Sequence, residues 1–136
     1  MMTITAFYAS LLAGLYLVLS ARVIGWRRSR RVELGDGADT QLLRRIRVHA
    51  NFAEYVPFAL LLMALAESMA PPRPLIHVVG ILLVIGRAIH AYGLSQTPHI
   101  LRYRVGGMVL TLTALGLAAM ICFSLSVLYL SVSLPS

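Results

Sequence analysis

The chain has no lysine, one cysteine, one tryptophan and only five acidic residues among its 136. Each shortage excludes something. With Cys122 alone, no disulfide framework can form within the chain, and no cysteine-based zinc pattern can be drawn. His49, His77, His90 and His99 are scattered and lack adjacent cysteine or carboxylate partners, so no metal site is expected. Charged residues make up 12% of the sequence, about half the share typical of soluble domains. Hydrophobic residues reach 59% and the mean hydropathy is +0.81, so water is not the main solvent of this chain. The net charge of +7 resembles a nucleic-acid signal at first sight. All twelve basic residues are arginines, however, and most lie in two clusters beside apolar runs, which is a membrane-topology pattern and implies no nucleic-acid partner.

Four apolar stretches are long enough to cross a bilayer of roughly 30 Å, because each helical residue advances about 1.5 Å. They predict helices over about 5–26, 42–67, 75–94 and 101–130. The expected fold is all-α: a single polytopic membrane domain over 1–136, built as a four-transmembrane-helix bundle. Residues 1–6 are uncharged and the basic block follows the first apolar core, the reverse of a signal peptide, so the segment is expected to be retained. After Arg27, Arg28, Arg30 and Arg31 comes a turn-rich loop with Gly35 and Gly37, and Asp39 or Thr40 is placed to cap the second helix. Pro71, Pro72 and Pro74 force a short connection between helices two and three, and residues 95–99 form a loop before helix four. Seven arginines occupy the first connection and the base of helix two, and Arg102 and Arg104 join them on that side, whereas the second connection holds only Arg73. This asymmetry predicts that the basic end is cytoplasmic and that both termini face away from it.

Helix two carries polar residues where lipid would be expected. Arg47, Asn51, Glu54 and Phe58 recur at spacings of four, three and four, which puts them on one helical face. Glu54 lies about 10 Å deeper than Arg47 along the axis, so it must face protein or a watered cavity. Pro57 frees the carbonyl of Ala53 and favours a kink. On helix three, Arg87 and His90 share a face and Tyr92 lies on another. Helix four opens with Arg102, Tyr103 and Arg104, followed by Gly106 and Gly107, where a backbone or ligand can approach closely. Two readings stand on these residues alone. In one, Glu54 clamps helices by pairing with Arg47, Arg87 or Arg104, His90 packs, and the block from Arg27 to Arg31 meets lipid headgroups. In the other, the cationic and amide groups hold a zwitterionic, multiply charged small molecule.

The segment Arg47-Val48-His49-Ala50-Asn51-Phe52-Ala53-Glu54-Tyr55-Val56-Pro57 resembles the Arg-x-x-x-Asn-x-x-Glu-x-x-Pro motif of the MAPEG family, the membrane-associated proteins of eicosanoid and glutathione metabolism. Gly86-Arg87 with His90, and the arginine-rich opening of helix four with Gly107-Met108, extend the likeness to nearly the whole chain, nearest the bacterial branch. The resemblance implies a homotrimer in a bacterial inner membrane, with glutathione as co-substrate held between protomers at the cytoplasmic side. Carried over by position, Arg47, Asn51, Glu54, Tyr55 and His90 would contact glutathione, with Arg27 or Arg28 reaching a carboxylate. Arg104 or Arg102 would stabilise the thiolate for attack on a lipophilic substrate entering from the membrane lipids, as a glutathione transferase or peroxidase. Leu94 stands where several members carry tyrosine, leaving Tyr92 or Tyr103 as substitutes. A non-catalytic scaffold of the same family and a small four-helix multidrug exporter are the alternatives.

Overall fold

The computed structural model describes residues 1–96, 98 and 100–133; Thr97 and His99 lie outside the described residues. It is all-helical, with α1 (Thr3–Arg30), α2 (Thr40–Ser68), α3 (Arg73–Ser95) and α4 (Leu101–Ser133). At about 1.5 Å per residue the helices run roughly 35 to 50 Å, enough to cross a bilayer with ends to spare. All four are long and apolar enough to do so. Each helix extends past the apolar stretch that announces it. The arginines of the first cluster continue α1 to Arg30, because arginine is a good helix former and its charge suits a helix C-terminus.

The helix ends show how sequence sets the connections. Arg31 closes α1 in the left-handed conformation, with φ 55°, and the N–H groups of Arg31 and Val32 return to the carbonyls of Arg28 and Arg27. Asp39 caps α2: its Oδ1 accepts from the backbone N–H of Gln41 at 2.8 Å and of Leu42 at 3.1 Å. Its Oδ2 accepts from the Trp26 indole at 2.9 Å and lies 3.5 Å from Arg30 Nε, which fastens the loop to the end of α1. These bonds, the indole first, hold the Asp39 carboxyl below its ordinary pKa. Proline at the start of α3 suits a turn that has no N–H partner to lose.

Cross-links between neighbours fix an up-and-down bundle. At one end Glu67, from the last turn of α2, accepts the backbone N–H groups of Ile4 and Thr5 at 2.9 and 2.7 Å. It thus caps α1, whose own Met2 supplies no side-chain cap. At the other end Arg22 donates to Ser95 and Arg44 to the Gln96 carbonyl. Helix α2 continues through Pro57. The core consists of apolar residues from all four helices, among them Leu12, Met63, Leu83 and Ala114, all at most 1% exposed. Helices α3 and α4 make the most extensive pairing. Small residues allow it. A side chain at Gly107 would strike the backbone of His90 and Gly86, and one at Gly93 would come within 2.6 Å of the Arg104 nitrogen. Gly106, by contrast, has open space beside it. Cys122 is half-buried, with its thiol directed at the Leu62 carbonyl.

Candidate functional site: a cationic cleft at one end of the bundle

The end that gathers the C-terminus of α1, the N-terminus of α2 and the loop before α4 holds most of the arginines. Between α2, α3 and α4 it opens into a cleft of about 590 Å³. One wall carries Arg44, Arg47 and Asn51 from successive turns of α2; the other carries His90 and Leu94 from α3, with Arg104 at the opening of α4. Leu43, Leu101, Val105, Met108 and Val109 form an apolar side. A cleft with guanidinium, amide and imidazole groups against hydrocarbon suits an anionic, hydrogen-bonding molecule next to a lipophilic one.

Behind the cleft lies Arg87, which is completely buried. Its Nη2 donates to Asn51 Oδ1 at 2.8 Å, which fixes the orientation of that amide. Its guanidinium also lies 5.6 Å from the Phe52 ring and 5.9 Å from the Tyr55 ring, while Nε and Nη1 have no hydrogen-bond partner among the described residues. His90, 2% exposed, places Nδ1 2.9 Å from the backbone carbonyl of Arg104. A carbonyl can only accept, so Nδ1 carries a hydrogen, and in the neutral ring Nε2, buried and without a partner among the described residues, is left as an acceptor. The same bond ties the first turn of α4, and so the Arg104 side chain, to α3.

The structure therefore brings Arg47, Asn51, His90 and Arg104 together. It does not bring the other candidate residues to this cleft. Arg102 leans over Tyr103 at 6.0 Å. Arg27 reaches the Glu33 carbonyl at 3.4 Å, and Arg28 is exposed and does not line the cleft. Tyr55 faces Arg87 from behind, and Glu54 is exposed on the outer face of α2, making no ion pair with Arg47, Arg87 or Arg104 among the described residues. The protein or watered cavity that Glu54 is expected to face is not formed by the helices of the single chain, on which Glu54 stays exposed. Tyr92 and Tyr103 pack on each other, with ring centroids 5.9 Å apart, outside the cleft, so Leu94 has no tyrosine substitute there. Arg44 was missed by motif reading, although its place three residues before Arg47 puts both on one face.

Four helices long and apolar enough to cross a membrane, with a cationic cleft at one end, define a polytopic membrane protein. The chain belongs to the MAPEG family, whose model matches residues 5–124. It is 38% identical over 112 residues to the inner membrane protein YecN of Escherichia coli K12, covering 82% of this chain and 84% of the relative. The protein of the same name from Escherichia coli O6:H1 strain CFT073 matches over the same length at the same identity.

Proposed function

We propose that this MAPEG protein binds glutathione in the cleft and presents its thiolate to lipophilic electrophiles, as a membrane-bound glutathione transferase with peroxidase capacity. The observation that supports it most is the meeting of Arg47 and Asn51 from one wall with His90 and Arg104 from the other, in a cleft also lined by Val105, Met108 and Val109. Glutathione is a tripeptide with two carboxylates, an ammonium and amides. Arg47 and Arg44 match a carboxylate in the bidentate manner of guanidinium, and Asn51, held by Arg87, matches a peptide group. A free thiol titrates near ~8.5, and a guanidinium in a partly desolvated site lowers that value by one or more units. Arg104 is assigned this role. The thiol proton leaves to solvent, the sulfur bonds to the electrophilic carbon, and the leaving group departs with the electron pair.

Glu54 and Arg47 are both exposed on the single chain, and a carboxylate left against lipid costs several kcal/mol. A homotrimer that covers this face of α2 removes that cost. It would also let Glu54 accept the glutathione ammonium and a neighbour supply Arg27 or Arg28. The arginine distribution supports a basic end in the cytoplasm with both termini on the other side, and the relatives, inner membrane proteins by name, support a bacterial inner membrane.

The first test is calorimetric titration of glutathione, and of thiol-free ophthalmic acid, into detergent-purified protein. Saturable binding of both, lost in Glu54→Gln, is expected. Arg104→Leu should keep binding and lose thiolate absorbance and adduct formation with a chlorodinitrobenzene electrophile. No binding by the wild-type protein would refute the reading, and binding without adduct formation would mark a non-catalytic member.

A further inference from the structure

A second cluster of arginines lies on the far side of α2 from the cleft, and its neighbours do not neutralise it. Trp26 follows Arg22 by one turn of α1, and Arg45 of α2 lies over the Trp26 ring with its guanidinium carbon 4.2 Å from the ring centroid. Arg22 and Trp26 share a face of α1, so both guanidinium groups border the same indole. Arg22 donates to Ser95 Oγ at 3.1 Å, and that hydroxyl spends its own hydrogen on the Ala91 carbonyl at 2.6 Å. Arg45 Nε is buried without a partner, and neither arginine pairs with a carboxylate among the described residues. Asp39, the nearest acid in the same network, is occupied by the Trp26 indole, Arg30 and the first turn of α2.

Two guanidinium groups held together without a counter-charge need an anion. Their depth says which anion is at hand. Arg45 lies five residues inside the start of α2 and Arg22 eight residues inside the end of α1, about 8 and 12 Å below those helix ends. Helices this long overshoot a 30 Å hydrocarbon core by about 6 Å at each end, so Arg45 sits at its border and the Arg22 side chain rises to it. The groups at that border are lipid phosphates, and a single tryptophan beside them fits an interfacial anchor.

We propose that Arg22 and Arg45, with Trp26 and Ser95, form a binding site for the phosphodiester of an anionic phospholipid at the junction of α1, α2 and the end of α3. The site is separate from the glutathione cleft, and its existence does not depend on that assignment. An anionic lipid here neutralises the repulsion and locks the α1–α2 pair. A zwitterionic lipid brings an ammonium into the same cationic field and binds more weakly.

Trp26 is the only tryptophan, so its emission reports the site directly. The test titrates the whole protein in neutral detergent with dihexanoyl phosphatidylglycerol, dihexanoyl phosphatidylcholine and sodium phosphate. Saturable change with phosphatidylglycerol is expected, at least tenfold tighter than with the other two. Arg22→Gln should weaken it at least tenfold, and Arg73→Gln, at the opposite end of the bundle, should bind as wild type. Arg45→Gln alters the tryptophan contact itself, so its lipid binding is counted in native mass spectra. Equal affinity for the two lipids would overturn the proposal, as would wild-type binding by both Arg22→Gln and Arg45→Gln. Phosphate binding as tightly as phosphatidylglycerol would overturn the lipid assignment in favour of a free-anion site.

Discussion

Replacing Gly107 with alanine adds one methyl carbon at the tightest point between α3 and α4. That carbon would lie 2.6 Å from the Gly86 carbonyl oxygen and 2.7 Å from the His90 Cα, with the His90 nitrogen also in its way. All three are backbone atoms, so no side chain can swing aside. Restoring ordinary van der Waals separation moves the helices apart by roughly 0.8 Å. The His90 Nδ1 to Arg104 carbonyl distance, 2.9 Å, then grows to about 3.7 Å, beyond hydrogen-bond range. Overpacking of this kind costs about 1–3 kcal/mol and the lost bond about 1 kcal/mol more, giving a destabilisation of about 2–4 kcal/mol. Gly106→Ala provides the internal control: its methyl meets nothing within 4 Å, and alanine gains about 0.5–1 kcal/mol of helix stability there. Equilibrium unfolding in mixed micelles measures both. Under the proposed function, Gly107→Ala also loses glutathione binding, because His90 and the first turn of α4 no longer keep their register. If Gly107→Ala unfolds within about 0.5 kcal/mol of the wild-type protein, the reasoning that these glycines set the α3–α4 distance is wrong.

Other perturbations follow from single contacts. Glu67→Ala removes the acceptor of the Ile4 and Thr5 N–H groups, leaving two part-buried donors unpaired. It should cost about 1–3 kcal/mol and speed hydrogen exchange selectively in the first turn of α1. Asn51→Leu takes away the only hydrogen-bond partner of the buried Arg87 guanidinium among the described residues, and a loss of about 1.5–3 kcal/mol is expected in the same unfolding assay. Because the folded pKa of Asp39 is depressed, its stabilising contribution is fully present above the unfolded-state value near 4 and disappears as pH falls through the lower folded value. Trp26 emission should therefore change on acidification below pH ~4, and Asp39→Asn should remove that transition.

The architecture is legible in the sequence because a bilayer imposes a length and a polarity on every span, and both are local properties. The prolines at 71, 72 and 74 and the acidic cap at Asp39 likewise act within a turn or two of their own position. The trans cap from Glu67 to α1 is different in kind. It joins residues more than sixty positions apart, and in the sequence Glu67 marks only the end of an apolar run. Gly106 and Gly107 are equivalent in composition, yet only one faces α3, since neighbouring residues on a helix point about 100° apart.

The same geometry explains why the motif on α2 could be recognised but not placed. Periodicity says that Arg47, Asn51 and Glu54 share a face; it does not say what covers that face. In one chain α3 and α4 cover only its edge, reaching Asn51 through Arg87 and enclosing Arg47 on one flank, while Glu54 stays uncovered. Hydrocarbon is a poor cover for a carboxylate, and Arg87, the buried cation able to feel its charge, already gives its Nη2 to Asn51. The missing half of the site is therefore expected on another copy of the chain. Crosslinking from a cysteine placed at position 58, one turn beyond Glu54 on the exposed side of α2, should yield intermolecular products in native membranes. Cysteine at position 85, on the exposed face of α3, serves as the lipid-facing comparison, and equal crosslinking at both positions would refute this account of why Glu54 faces outward.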